Sequence, residues 1–311
     1  MAIDYAKTFQ KYIDEELAAH SATEWMASTS GLVRYGEGKD VEIVNLTTKG
    51  LGNYDSSKTD GSAYPAGAVT SEVEPYTLEM DRGIKFALDR CAPQDAAFPD
   101  TAETVIRTFA REELVRELDM FRIQRLYAIT NFGDDNGPNL FHYDGEEDIV
   151  SLISRLQTVL EDESEHIGGY VALISAGLKS KFLECANNTF HKVSFEQQVE
   201  INGVTYHNVM MLNDLPCIFV PSGRMKSKLE IRSGRDGDIY GGVVAAADAR
   251  DLAAILVACD APLAMSKVDS LKVFGPEENQ LFDGTAIQAR YLYDLLVPGR
   301  GVYTVGSVVI D

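Results

Sequence analysis

Residues 76–89, YTLEMDRGIKFALD, alternate regularly enough to constrain the whole chain. Tyr76, Leu78, Met80, Ile84, Phe86 and Leu88 fall on one side of an extended strand. Thr77, Glu79, Asp81, Lys85 and Asp89 fall on the other, and Arg82 is the one polar residue on the apolar side. Upstream, DVEIVNLTTKG (40–50) is β-branched and reads as a second strand. Between them, residues 50–75 are rich in Gly, Ser and Pro, far too many for a tight hairpin turn. The reading is a long two-stranded ribbon with a wide tip. An isolated ribbon is marginal in water, so this one must lie on a sheet of its own chain or on another chain. Burying each large apolar side chain is worth roughly 1.5–3 kcal/mol, which makes the uncovered face untenable.

The ribbon is flanked by helices. In the first 36 residues, Tyr5, Phe9, Tyr12, Ile13 and Leu17 recur at helical spacing, and a short piece around Trp25 and Met26 follows. Such a short helix must bury its face on something; its own domain and a neighbouring subunit both qualify. After the ribbon, Pro99 precedes Asp100, and Asp100-x-x-Glu103 has the form of a capping box. Ala102, Ile106, Ala110, Leu114, Leu118 and Phe121 then form a stripe, predicting a helix to about Asn131, roughly 45 Å long. EEDIVSLISRLQTVLEDESE (146–165) is a second amphipathic helix with acidic ends.

From residue 168 strands and short helices alternate. GGYVALIS precedes a helical AGLKSKFLECANN, and Asn202-Gly203 marks a hairpin turn. LPCIFVP and DLAAILVA read as buried strands, and SGRMKSKLEIRSGRDGDIYGG as a surface loop. The last fifty residues read as strands around a Pro298-Gly299 turn.

Composition narrows the function. With 28 Lys plus Arg against 48 Asp plus Glu, the net charge is −20. A dedicated nucleic-acid reader needs clustered cations, so that class is disfavoured. No apolar run approaches the roughly 20 residues that span a bilayer, and the first residues have no secretory signal pattern. Cys91, Cys185, Cys217 and Cys259 are too few for a disulfide framework and read as reduced thiols of a cytosolic protein.

Sites of chemistry are not evident. There is no phosphate-binding loop, nucleophile elbow, zinc-protease motif or CxxC pair. Gly50-Leu-Gly52 lies in the ribbon tip, Asp236-Gly-Asp238 lacks the other ligands of a calcium loop, and the five histidines are scattered. The expectation is no catalytic residue, no cofactor and no metal.

The element order and three stretches carry a resemblance. LNDLPCIFVPSGRM (212–225), DLAAILVACDAPLAMSKVDSLKVFGPEENQ (251–280) and RYLYDLLVPGRGVYTV (290–305) follow an arm, a ribbon and a long capped helix. In this order the chain resembles the major capsid proteins of tailed bacteriophages, the Hong Kong 97-like fold, over about residues 1–310. The resemblance implies an α+β chain. Its parts would be an N-terminal arm (1–36), an E-loop β-ribbon (37–92), a spine helix with the first part of the P-domain (93–164), an A-domain (165–261) and returning P-domain strands (262–311). It implies a homo-oligomer of pentamers and hexamers, assembled in the host cytoplasm into an icosahedral virion head around double-stranded DNA held only non-specifically. Portal, scaffold and decoration proteins would be partners, with no membrane. Tyr76, Leu78, Met80 and Ile84 would contact a neighbouring subunit. No fused scaffolding segment is expected ahead of the arm, and the Lys–Asn cross-link of some members, for which Lys49, Lys58 and Asn279 would be the candidates, is not expected. Encapsulins share the fold, so an encapsulin-type compartment is the alternative, followed by an enzyme with a composite site and a ligand-binding α/β module.

Overall fold

A run of four-residue steps cannot stay on one side of a regular α-helix, because each step turns about 40° too far. The long helix solves this by changing pitch. In the computed structural model, α2 (Phe98–Phe109) passes through a π turn at Ala110–Leu114 into α3 (Val115–Asn131). The wider turn takes in an extra residue, and Ile106, Ala110, Leu114, Leu118 and Phe121 are all buried. The helix starts at Phe98, which places Asp100 within its first turn; Pro99 is tolerated there because first-turn N–H groups have no partner to lose. The structure describes residues 5–27, 33–48, 52–58, 63–64, 69–89, 98–131, 137–164, 169–188, 193–235, 241–275, 277–279, 284–298 and 303–311.

Two main sheets use this helix. The larger has the order β5-β15-β12-β6-β9-β8-β7. Its strands are β5 (Leu140–Tyr143), β6 (Tyr170–Ser175), β7 (Val193–Ile201), β8 (Val204–Leu212), β9 (Leu215–Val220), β12 (Leu252–Ala258) and β15 (Val305–Ile310). β6 and β12 are buried along their whole length, which explains their unbroken apolar sequence: both sheet faces are covered. One face takes α4 (Ile149–Ser164), where Gly306 lies under Leu156 and Leu160. The next residue of β15 points the other way, and Ser307 Oγ receives Thr130 Oγ1 of α3 at 3.0 Å. α5 (Lys179–Asn188) packs beside α4. β7 and β8 form the hairpin expected from Asn202-Gly203, both with positive φ.

The smaller sheet, β13-β14-β4, pairs β13 (Leu263–Phe274) and β14 (Gly284–Leu296) with β4 (Met80–Asp89). One face lies on the long helix, with Phe121 edge-on to Tyr293 at 5.1 Å and Phe86 edge-on to Phe109 at 5.3 Å. A third sheet, β1-β2-β3, is the ribbon: β1 (Val33–Tyr35), β2 (Asp40–Thr48) and β3 (Val69–Thr77). α1 (Tyr5–His20) and the 3-10 turn Glu24–Met26 pack on the body of their own chain. Ile13, Leu17, Trp25 and Met26 are buried there.

Several expectations change. The ribbon's return strand is β3, which begins at Val69 inside the stretch read as loop, and the alternating run 80–89 belongs to the smaller sheet. The alternation was correct; its partner is β14. The last strand, β15, does not return beside β13 and β14 but lies inside the larger sheet, between β5 and β12. The polar stretch read as a loop contains β10 (Leu229–Arg232), paired with β11 (Gly242–Ala245). Gly299 of the expected turn lies outside the described residues. The chain exposes 17587 Å², well above the roughly 12,900 Å² of a compact monomer of this mass.

Candidate assembly surface

The ribbon is a lever with a fixed root. Opposed residues in an antiparallel pair share a face. Val41 opposes Tyr76 and Ile43 opposes Glu74, so Val41, Ile43 and Tyr76 face the same way. With Leu78 they pack on Leu263, Met265 and Leu292 of the smaller sheet. The chain crosses between the two sheets at Leu78 and Glu79, and Asp294 pins that crossing. Its carboxylate accepts Tyr76 Oη at 3.0 Å, the Glu79 N–H at 2.9 Å and the Leu295 N–H at 2.8 Å. Arg125 of α3 stands 3.6 Å away and also meets Glu79. Burial pushes the Asp294 carboxyl above the usual carboxylate range. Burial and the neighbouring Asp294 carry the Tyr76 phenol up to about 12, so it stays a donor.

Just beyond, Arg82 finds its reason for sitting on an apolar face. It donates to Glu117 at 2.8 Å, and Glu117 also accepts Tyr293 Oη at 2.6 Å. On the other face of β4, Asp81 is held by Arg290 at 2.9 and 2.8 Å and by Lys39 at 3.2 Å.

Away from its root the ribbon is bare. Every residue of β3 except Tyr76 is exposed, with Val69 at 73% and Val73 at 49%. The described part of the tip has local order: Asp55 N–H donates to Ala63 O at 3.0 Å, and Tyr54 meets Tyr64 edge-on at 5.0 Å. Both tyrosines are exposed. Of the residues expected to touch a neighbour, Leu78 and Met80 are 1% and 5% exposed within their own chain, and Tyr76 and Ile84 are half-buried. Leu78 and Met80 are therefore already covered: Leu78, at the crossing, packs on the ribbon side of the smaller sheet, and Met80, the first residue of β4, belongs to the cluster that includes the long helix; the outward apolar residues lie farther along, on β3. The period-two pattern could not distinguish these cases, because burial by self and by neighbour need the same sequence.

The arm is tied down by a buried polar junction that the sequence did not single out. Asp119 of α3 accepts Ser21 Oγ and Thr23 Oγ1, each at 2.7 Å, the Ala22 N–H at 3.2 Å, and Arg224 Nη1 at 2.8 Å. One turn on, Arg122 donates to Thr23 O at 3.1 Å and Glu24 Oε2 at 3.0 Å. Asn202 of the β7–β8 turn donates to Trp25 O at 3.1 Å. Outside this junction, Arg107 clamps α1 to α2 through Glu15, Glu16 and Glu103. An Asp and an Arg one turn apart in a helix that otherwise alternates apolar and charged faces was the available signal.

Among the described residues, reactive groups do not converge. Among the described residues no group of three or more His, Cys, Asp or Glu is placed to hold a metal ion. His142 meets Asp311 at 2.6 Å on the surface, and His207 is exposed; His166 and His191 lie outside the described residues. A cavity of about 370 Å³ is lined by Asp148, Lys181 and Cys185, but Asp148 caps α4 through the Val150 N–H and Lys181 lies over the Tyr143 ring. Cys185, Cys217 and Cys259 are free thiols, and Cys91 lies outside the described residues. Asn279 donates to Gly284 O at 2.9 Å and Lys58 meets Asp55; Lys49 is outside the described residues. No helix among the described residues is long and apolar enough to cross a membrane.

No protein-family model and no curated protein matches the sequence. Solved structures do match. The solved structure of Mycobacterium phage Bobi aligns with a TM-score of 0.51 at 14% identity, covering 94% of this chain and 91% of that one. Microbacterium phage Oxtober96 gives 0.51 at 13% identity, covering 94% and 91%. Mycobacterium phage Adephagia gives 0.50 at 13% identity, covering 94% and 90%. The chain thus has a mixed α+β fold shared, over nearly its whole length, with the matched chains of these phage structures.

Proposed function

We propose that the chain is a shell subunit of a phage head, with the Hong Kong 97-like organisation that its element order resembles. The observation that carries this reading is the ribbon. Its root is fixed to the body by Asp294, Leu78 and Ile43, while Tyr54, Tyr64, Val69 and Val73 stand exposed beyond it. Exposed apolar groups gathered on a projecting ribbon suit an interaction surface, and the large total surface is what an assembling subunit has before interfaces close.

In this reading α1 and its junction are the arm, β2 and β3 the E-loop, α2 and α3 the spine helix, the smaller sheet the P-domain, and the larger sheet the A-domain with β15 inside it. Identical subunits join head to tail, and such contacts close into rings; pentamers and hexamers then form the icosahedral shell. Subunit contacts are expected at the distal ribbon. Tyr76 remains at its root, Leu78 supports that root from within, and Met80 and Ile84 belong to β4 of the smaller sheet. The shell encloses double-stranded DNA without reading it, since the −20 charge gives no general attraction for phosphate. The chain is not an enzyme. Portal, scaffold and decoration proteins are its partners in the virion, and assembly takes place in the host cytoplasm.

Electron microscopy and sedimentation of the purified protein test this. Closed shells, tubes or rings are expected; a monodisperse monomer under all assembly conditions contradicts it. Shells from the native source should hold DNA; a protein cargo in its place favours the compartment reading.

A further inference from the structure

The smaller sheet has one outer face with two halves. Leu292, Asp294 and Leu296 alternate along β14 on that face, and this half lies under the root of the chain's own ribbon. The same alternation continues to Arg290 and Gln288. Cross-strand register places Lys85 of β4 and Lys272 of β13 on either side of Gln288. All three are exposed. The two lysines stand about 10 Å apart across one intervening strand. Arg290, the next residue on this face, is shared with Asp81. In a chain of net charge −20, this half-face is locally basic.

The ribbon has the matching division. Val41, Ile43 and Tyr76 form its proximal underside and are covered. The same underside continues outward to Glu74 and Glu72, opposite Ile43 and Asn45. Both glutamates are exposed. No ion pair engages Glu72, Glu74, Lys85 or Lys272 among the described residues. The ribbon covers the apolar half of the sheet in its own chain, and its acidic continuation has no counterpart there.

We infer that Glu72 and Glu74 of one subunit dock on the basic half-face around Lys85 and Lys272 of a second copy of this chain. The inference rests on the shell reading and names the surface that receives the ribbon. The two patches belong to different parts of the chain, so the contact is heterologous and repeats around a ring. Opposed charges also fix register and suppress wrong pairings.

The test uses full-length protein and charge reversal at exposed positions. Glu72→Lys with Glu74→Lys makes a ribbon variant, and Lys85→Glu with Lys272→Glu makes a sheet variant. Each alone should keep the wild-type circular dichroism spectrum and lose assembly. A 1:1 mixture should recover hexamers and hexamer-built sheets or tubes, because around an even ring a reversed ribbon meets a reversed sheet and an ordinary ribbon meets an ordinary sheet in alternation; a ring of five cannot alternate, so closed shells are not expected from the mixture. A single chain carrying all four changes should also assemble. Normal assembly of either variant alone overturns the inference while leaving the shell reading in place. Rescue in the fourfold chain with no hexamers, sheets or tubes from the mixture overturns it too, by making the contact internal. A wild-type chain that never assembles overturns the shell reading itself, and this contact with it.

Discussion

The Asp119 carboxylate lies 2.8 Å from Arg224 Nη1, and the Asp119 side chain is fully buried. Arg224 follows β9 of the larger sheet, Asp119 belongs to the long helix, and the same carboxylate holds Ser21 to Thr23 of the arm. One side chain therefore joins three parts of the fold. Removing one partner of such a pair leaves buried groups unsatisfied, which costs far more than the pair contributes in isolation. Asp119→Ala should lower stability by about 3–5 kcal/mol in urea titration. Hydrogen exchange at residues 21–27 should rise together with that near Arg224. A loss below about 1 kcal/mol would mean that solvent already reaches the junction.

Gly306 offers a steric test of the packing between α4 and the larger sheet. A Cβ there would meet Leu156 Cδ1 at 2.8 Å and Leu160 Cδ1 at 3.1 Å. Those leucines are fully buried and have little room to move. Gly306→Ala should cost about 1–3 kcal/mol by overpacking. Combined with Leu156→Ala, the two losses should be less than additive, since each change offsets part of the other's misfit. Simple additivity would show that α4 shifts as a body instead.

Thiol chemistry follows from burial. Burial pushes the Cys217 thiol up to about 12, and Cys259 rises to about 11 for the same reason. At neutral pH both are overwhelmingly protonated, and the thiolate is the reactive form. Native protein should leave Cys217 unlabelled by an alkylating reagent until denaturant is added, as read by peptide mass spectrometry. A Cys217-containing disulfide in freshly prepared, thiol-blocked protein would contradict this.

Acid should loosen the root of the ribbon through Asp81. Hydrogen bonds from Arg290, then Lys39, hold its carboxyl down at about 2. A carboxylate whose folded value is depressed adds stability above its unfolded value near 4 and loses it as pH falls toward 2. Because Arg290 is well exposed, solvent screening limits the contribution to about 1 kcal/mol. Stability curves of wild type and Asp81→Asn should therefore differ above pH 4 and converge near pH 2. Curves that run parallel over that range would assign the acid sensitivity to another group.

The order of elements was legible because each has a local cause. The four-residue stripe gave the long helix, Asn202-Gly203 gave a turn, and the unbroken apolar runs of β6 and β12 gave strands covered on both faces. Partner choice was not legible. The alternation at 80–89 is satisfied equally by β2 or by β14, and β15 is apolar enough for either sheet. Gly and Ser in the stretch before Val69 hid β3, whose stability comes from pairing with β2 along its length and not from its own propensity. The Asp119 junction was invisible for a related reason. Its partners lie up to 105 residues away in sequence, and no short spacing records such a meeting.

The last prediction separates the ribbon's two roles. The root buries Val41, Ile43 and Leu78 on its own sheet, and burying each such side chain contributes roughly 1.5–3 kcal/mol. The described tip residues, 52–58 and 63–64, contribute no side chain to that core. Replacing residues 49–68 by Asn-Gly keeps the β2–β3 register and closes it with a turn suited to paired strands. The shortened subunit should retain its circular dichroism spectrum and unfold within about 1 kcal/mol of wild type, since exposed tip residues contribute little. It should sediment as a monomer or small oligomer under conditions where the intact chain assembles. Replacing Ile43 with Ala should do the reverse at first, costing about 2–5 kcal/mol of subunit stability, with assembly falling only as folding fails. Unfolding of the tip deletion would place the tip in the folding core. Normal shells from it would remove the distal ribbon from assembly.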